Sequence, residues 1–178
     1  MGSEMCIRDR VDTVVDEYIA TQMVNAERVE SHVNLGNIYR DLQRLGKAED
    51  AYLTALRINP DFIPVYVNLS DLYRLQNRET EAQKLLLEGI ARLPMEPTLK
   101  QMLGLSLIRQ ERVAQAQPYF RDAAKLSSTE ARYAITYALA LEATDQPLAA
   151  IIYLESVRDK DNDANEINTA IATILQRS

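Results

Sequence analysis

Apolar residues recur along the chain at spacings of three and four, the pattern of helices that bury one face. Leu35, Ile38, Tyr39 and Leu42 form one such stripe. The stripes themselves recur. Leu35-Gly36-Asn37-Ile38-Tyr39 realigns on Leu69-Ser70-Asp71-Leu72-Tyr73 at an offset of 34 residues. Asn59-Pro60 and Leu93-Pro94 share that offset, as do Ala48 and Ala82, and Tyr52 and Leu86. Carried forward, the phase lands on Leu103-Gly104, Leu107, Ala116, Phe120 and Ala123, then on Ala138, Leu141, Ala150, Leu154 and Val157. Four consecutive units therefore span 29–62, 63–96, 97–130 and 131–164, starting at Val29, Ile63, Pro97 and Ala131 with no insertion. A period kept over four units is a far stronger signal than any single motif.

Packing physics explains the pattern within a unit. Small residues at Gly36/Ser70/Gly104/Ala138, Ala48/Ala82/Ala116/Ala150 and Ala55/Gly89/Ala123 allow two helices to approach closely. Large residues at Tyr39/Tyr73/Leu107/Leu141 and Tyr52/Leu86/Phe120/Leu154 fill the space that remains. Pro60 and Pro94 stop a helix and turn the chain into the next one. Pro147 stands where a second helix should begin, a position at which its missing N–H costs nothing, whereas Pro118 lies deeper and is expected to bend its helix. Each predicted helix is about 14 residues, roughly 21 Å long.

These residues resemble the tetratricopeptide repeat (TPR) family, whose units carry a large residue, Leu-Gly and Tyr on a first helix, then Ala, an aromatic and a small residue on a second, closed by Pro. Unit one supplies His32, Leu35, Gly36, Tyr39, Ala48, Tyr52, Ala55 and Pro60; unit two supplies Tyr66, Leu69, Ser70, Tyr73, Ala82, Leu86, Gly89 and Pro94. The match weakens towards the C-terminus, with Lys100 and Ser128 in unit three and Asn162 closing unit four. The resemblance implies an all-α, right-handed superhelical solenoid of antiparallel helix pairs. It also places residues 11–28 as the second helix of a truncated preceding repeat, and 165–178 as a terminal or truncated helix.

The first ten residues stand apart. Met5-Cys6-Ile7-Arg8-Asp9-Arg10 resembles the translation of a transposon adapter used in preparing sequencing libraries, so residues 1–10 are expected to be non-native. The only cysteine belongs to that segment. The chain is then expected to be a slice of a longer solenoid whose native start is missing. Its compartment is left open between cytoplasm and bacterial periplasm.

Composition narrows the function. The formal charge is −6, from 20 Lys and Arg against 26 Asp and Glu, which argues against a nucleic-acid-binding surface. No apolar run approaches the length of a membrane-spanning helix, so no membrane insertion is expected. One Cys and one His leave no ligand set for a Cys/His metal site, and no cofactor is expected. The charge is uneven. Unit three is the only net-basic one, with Lys100, Arg109, Arg112, Arg121 and Lys125 against Glu111, Asp122 and Glu130.

No catalytic constellation is legible, and the chain is read as non-enzymatic. His32 sits at a packing position, and Asp159-Lys160-Asp161-Asn162-Asp163 lacks the glycine a Ca2+ loop needs. What remains is the concave groove that the family lines with its first helices. The resemblance places Asn34, Asn37, Arg40, Asn68, Asp71 and Arg74 there from units one and two. Met102, Leu105, Ile108, Ile135 and Leu139 follow from units three and four. An asparagine row can grip a peptide backbone through its donor and acceptor, or can merely bond neighbouring helices; both readings stay open. Arg40 and Arg74 could select a carboxylate. Among repeat proteins that clamp a C-terminal carboxylate, Asn37 and Asn68 match the clamp, while Val33, Thr98 and Met102 replace its basic residues.

The expected partner is therefore a protein or peptide, held by a groove that is polar at one end and apolar at the other. Two alternatives remain. Val67-Asn68-Leu69-Ser70-Asp71-Leu72-Tyr73 and similar runs also resemble the repeat region attached to bacterial multihaem c-type cytochromes, which implies a periplasmic docking arm. The other is a glycosyltransferase's substrate-selecting repeats. Two cut repeat ends can also pair head to tail, which would give end-to-end self-association.

Overall fold

A computed structural model describes residue 15, residues 17–22, residue 24, residues 27–158 and residues 164–177. The adapter-like segment with Cys6 and the acidic stretch 159–163 lie outside the described residues. All regular structure among the described residues is helical. Contacts group the chain into two compact units, Met1–Arg78 and Glu79–Ser178.

The first unit holds a helical stretch around residues 17–22, followed by α1 (Val29–Asp41), α2 (Leu45–Ile58) and α3 (Ile63–Leu75). α1 and α2 form a tight hairpin because Gly36 leaves room for the ring of Tyr52, which is wholly buried. A Cβ on Gly36 would run into Tyr52 Cε1, inside any tolerable contact. α3 packs on both α2 and α1, so the two first helices of this unit are neighbours. Arg78, just after α3, reaches Glu49 on α2 with Nη1 to Oε2 at 2.6 Å and Nη2 to Oε1 at 3.1 Å. This two-pronged ion pair fixes the turn after α3 against the preceding hairpin.

The second unit holds α4 (Glu79–Arg92), α5 (Pro97–Arg109), α6 (Val113–Leu126), α7 (Ala131–Glu142), α8 (Pro147–Arg158) and α9 (Ala164–Arg177). α5 and α6 repeat the device of the first hairpin: a Cβ on Gly104 would lie 2.5 Å from Phe120 Cε1. In α7 and α8 the corresponding residues are Ala138 and Leu154, both fully buried, and a smaller partner admits the methyl group. Ile167 and Ile174 of α9 complete that core with Leu141 and Ala150. Tyr137 and Tyr153 meet edge to face at 4.9 Å. α6 continues through Pro118, which leaves the carbonyl four residues earlier, on exposed Ala114, to water.

One local device recurs in both units. Gln43, Asn77, Glu111 and Asp145, spaced 34 apart, all hold positive φ between 56° and 63°. Each follows a first helix and closes it with paired backbone bonds: Gln43 N–H donates to Arg40 O at 2.9 Å, and Arg44 N–H to Tyr39 O at 2.7 Å. The same pair forms from Asn77 and Arg78, Glu111 and Arg112, and Asp145 and Gln146. The left-handed residue is usually glycine in this motif; none of the four is.

Candidate functional site

The polar row belongs to the first unit and is largely occupied. Asn34, Asn37 and Arg40 lie on α1, Asn68, Asp71 and Arg74 on α3, and all but exposed Arg74 are half-buried. Tyr52 donates its hydroxyl to Asn37 Oδ1 at 2.7 Å, so this amide ties the second helix to the first. Burial, chiefly, pushes the Tyr52 hydroxyl up to about 12; Arg40 pulls it down, and Asp41 and Asp71 push it up. The bond to Asn37 brings the tyrosine's tip to the polar row itself. Asn34 Nδ2 donates to Gln22 Oε1 at 3.3 Å. Arg40 pairs with Asp41 at 3.1 Å and Arg74 with Asp71 at 3.3 Å, which partly neutralises both guanidiniums. Asn68 is the member of the row whose side chain bonds no other described residue.

The apolar row belongs to the second unit and is open. Met102 and Ile108 on α5 and Ile135 on α7 are half-buried, while Leu105 and Leu139 are each 41% exposed. α5 and α7 are cross-linked side by side: Gln101 Nε2 donates to Thr136 Oγ1 at 3.1 Å, and Thr98 and Tyr133 share a hydroxyl bond at 3.2 Å. Tyr133 is itself buried and accepts from Arg132 Nη2 at 2.8 Å. Ile135 and Leu139 then form one wall of a cleft of about 550 Å³, whose other wall is α9 through Thr169, Ala170 and Thr173. Arg177 lines it and pairs with Glu142 at 3.6 Å; Asn165 and Glu166 line it from the first turn of α9.

The contribution of α9 is absent from the sequence reading, which treats that helix as an end piece. A signal existed: beside the buried Ile167/Ile174 stripe runs a second one, Ala170, Thr173 and Arg177, at helical spacing. His32 is half-buried and lines a cleft of about 270 Å³ with Leu35, Tyr39 and Lys47. Among the described residues no three or more His, Cys, Asp or Glu converge as a metal site, and no helix is long and apolar enough to cross a membrane.

This geometry defines a class: helical hairpins repeating every 34 residues, with first helices side by side within each unit. Comparison with known proteins fixes the family. A family model described as tetratricopeptide repeat matches residues 29–62, and a second with that description matches residues 102–165. Together they span more than half of the chain, which belongs to the TPR family. No curated protein matches. Among solved structures, a thermophilic TPR protein of Thermus thermophilus, TTC0263, is similar at TM-score 0.67 and 16% identity over 98% of this chain and 95% of that one. MamA from Desulfovibrio magneticus RS-1 follows at TM-score 0.63 and 15% identity, covering 88% and 89%. YrrB, described as a TPR protein with an unusual peptide-binding site, is similar at TM-score 0.60 and 19% identity, covering 90% and 82%. At these identities the likeness is one of fold.

Proposed function

We propose that this chain is an interaction scaffold, with no catalysis of its own, which holds a peptide or partner helix on the first helices of its second unit, anchored in the α7–α9 cleft. The observation that carries the reading is the contrast in occupancy: Ile135 and Leu139 line an open cleft of about 550 Å³, whereas most of the polar row is bonded internally. Clefts of that volume with apolar walls and polar ends take a side-chain cluster and fix its orientation. Kinship of fold with YrrB agrees with a peptide as the ligand class.

Selection of random dodecapeptides displayed on phage against the intact chain tests this. Enriched peptides should bind Leu139→Glu at least tenfold more weakly than wild type, because a carboxylate would then sit in the apolar wall. An Ala149→Glu control, exposed on α8, should bind as wild type does. Peptides indifferent to Leu139→Glu would remove the cleft from the reading.

A further inference from the structure

A second cleft lies away from the α7–α9 groove, and its chemistry is unlike that of the groove. It encloses about 520 Å³ between α4, α5 and α6. Its apolar walls come from Leu87, Leu103, Leu107, Pro118 and Tyr119, and Arg112 lines the same cavity. Leu103 and Leu107 are buried core, but Leu87 is 47% exposed, so apolar surface is open to solvent here. Clefts of the same register occur at His32, Leu35 and Tyr39, and at Tyr137, Leu141 and Gln146, each of about 270 Å³. The one in the third repeat is about twice as large.

The charge at its edge is the informative part. Arg78 stands 34 residues before Arg112 and Glu49 stands 34 before Gln83, so the two pairs occupy equivalent positions. Arg78 holds Glu49 through both nitrogens of its fork. In the third repeat the carboxylate is replaced by the amide of Gln83, which also lines the cleft and donates to Ser106 Oγ at 2.9 Å. Arg112 turns instead to neutral acceptors: Gln115 Oε1 at 3.0 and 2.5 Å, and Gln110 Oε1 at 2.9 Å. Among the described residues no carboxylate pairs with it. Asp122 lines the cleft as well, but it lies ten residues along α6, about 15 Å away by helical rise, and pairs with Arg121 at 3.3 Å. The repeat around the cleft is the only net-basic one of an acidic chain.

We propose that the α4–α6 cleft is a second docking site, which takes a peptide segment carrying an acidic residue beside apolar ones. The acidic side chain forms with Arg112 the forked pair that Glu49 forms with Arg78. The apolar neighbours cover Leu87, Pro118 and Tyr119. Guanidinium geometry suits a planar carboxylate, and a tyrosine and an arginine beside exposed leucine are the residue types that dominate binding energy at interfaces. This site is independent of the groove reading, since none of its residues is shared with the α7–α9 cleft.

The test titrates the intact, isotope-labelled chain with acetyl-Leu-Asp-Leu-Leu-amide and with its Asn counterpart, following backbone amides by NMR. The Asp peptide should perturb Leu87, Arg112 and Tyr119 and bind about threefold more tightly than the Asn peptide, the scale of one forked pair partly exposed to water. Arg112→Gln should abolish that preference. Gln115→Glu should do the same by supplying an internal carboxylate where Gln115 already accepts from Arg112, and both variants keep a polar side chain at an exposed position. Equal affinity for the two peptides would overturn the proposal. So would perturbation confined to Ile135, Leu139 and Thr169, or an Asp preference that survives in either variant.

Discussion

The two units present their first helices to opposite effect. In residues 1–78 the row is polar and mostly spent on the protein itself: Asn37 holds Tyr52, Asn34 bonds Gln22, and Arg74 bonds Asp71. In residues 79–178 the row is apolar, and at Ile135 and Leu139 it opens onto a cleft. A polar side chain in a groove is thus not automatically free to bind. An amide finds an internal partner whenever one is in reach, because an unsatisfied half-buried polar group is costly. An apolar side chain at the surface has no such outlet, so a cleft walled by several of them is a candidate site for a partner.

The strongest way to disturb the first member of that comparison is to separate its helices. Gly36→Ala forces a methyl group into the Tyr52 ring, and Gly104→Ala does the same at Phe120. Each should cost about 2 kcal/mol, overpacking of up to about 3 kcal/mol less the roughly 1 kcal/mol by which alanine favours a helix. Urea denaturation would show it. Adding Phe120→Leu to Gly104→Ala recreates the Ala138/Leu154 arrangement of the next hairpin and should recover most of the loss.

Tyr52→Phe is the next step down. It removes the bond to Asn37 and should cost about 1 kcal/mol. It should also change alkaline behaviour. The folded hydroxyl is raised to about 12, above its ordinary value of 10, so the folded state retains a proton that the unfolded chain releases. Its contribution is intact below pH 10 and is lost as the pH rises towards 12. Wild type should lose stability over that window, and the phenylalanine variant should lose less.

The helix-closing turns give a gain of comparable size. Glu111→Gly and Gln43→Gly relieve a left-handed conformation at ordinary L-residues and should stabilise by about 1 kcal/mol, seen as a raised Tm. Asn77→Gly and Asp145→Gly should gain less, since Asn and Asp tolerate that conformation. Smallest is Glu49→Gln, which should cost about 0.5 kcal/mol by loosening Arg78, a pair still partly exposed to water.

The fold was legible because it is written four times. A 34-residue period of small and large residues at fixed positions admits few packings other than repeated hairpins. The turns were harder to read: Gln43 and Glu111 carry no local mark of a left-handed residue, and the geometry is imposed by the helices they join. The site was legible only in part. Sequence places Asn37 on the groove side but cannot say that a tyrosine fifteen residues on will take its oxygen. Leu139 was readable as apolar and exposed, but the second wall of its cleft comes from the helix after the last full repeat, where Thr169 and Thr173 stand 34 residues beyond Ile135 and Leu139. Arg112 is unremarkable until Arg78 and Glu49 are seen to touch.

The central claim is that partner binding is carried by the open apolar row of the second unit. Chemical-shift mapping of a phage-selected peptide on the intact chain tests it most directly. The account predicts the largest perturbations at Ile135, Leu139, Thr169 and Thr173, with Asn34 and Asn37 nearly unmoved. Perturbations centred on Asn34, Asn37 and Arg40, with the α7–α9 cleft silent, would contradict it.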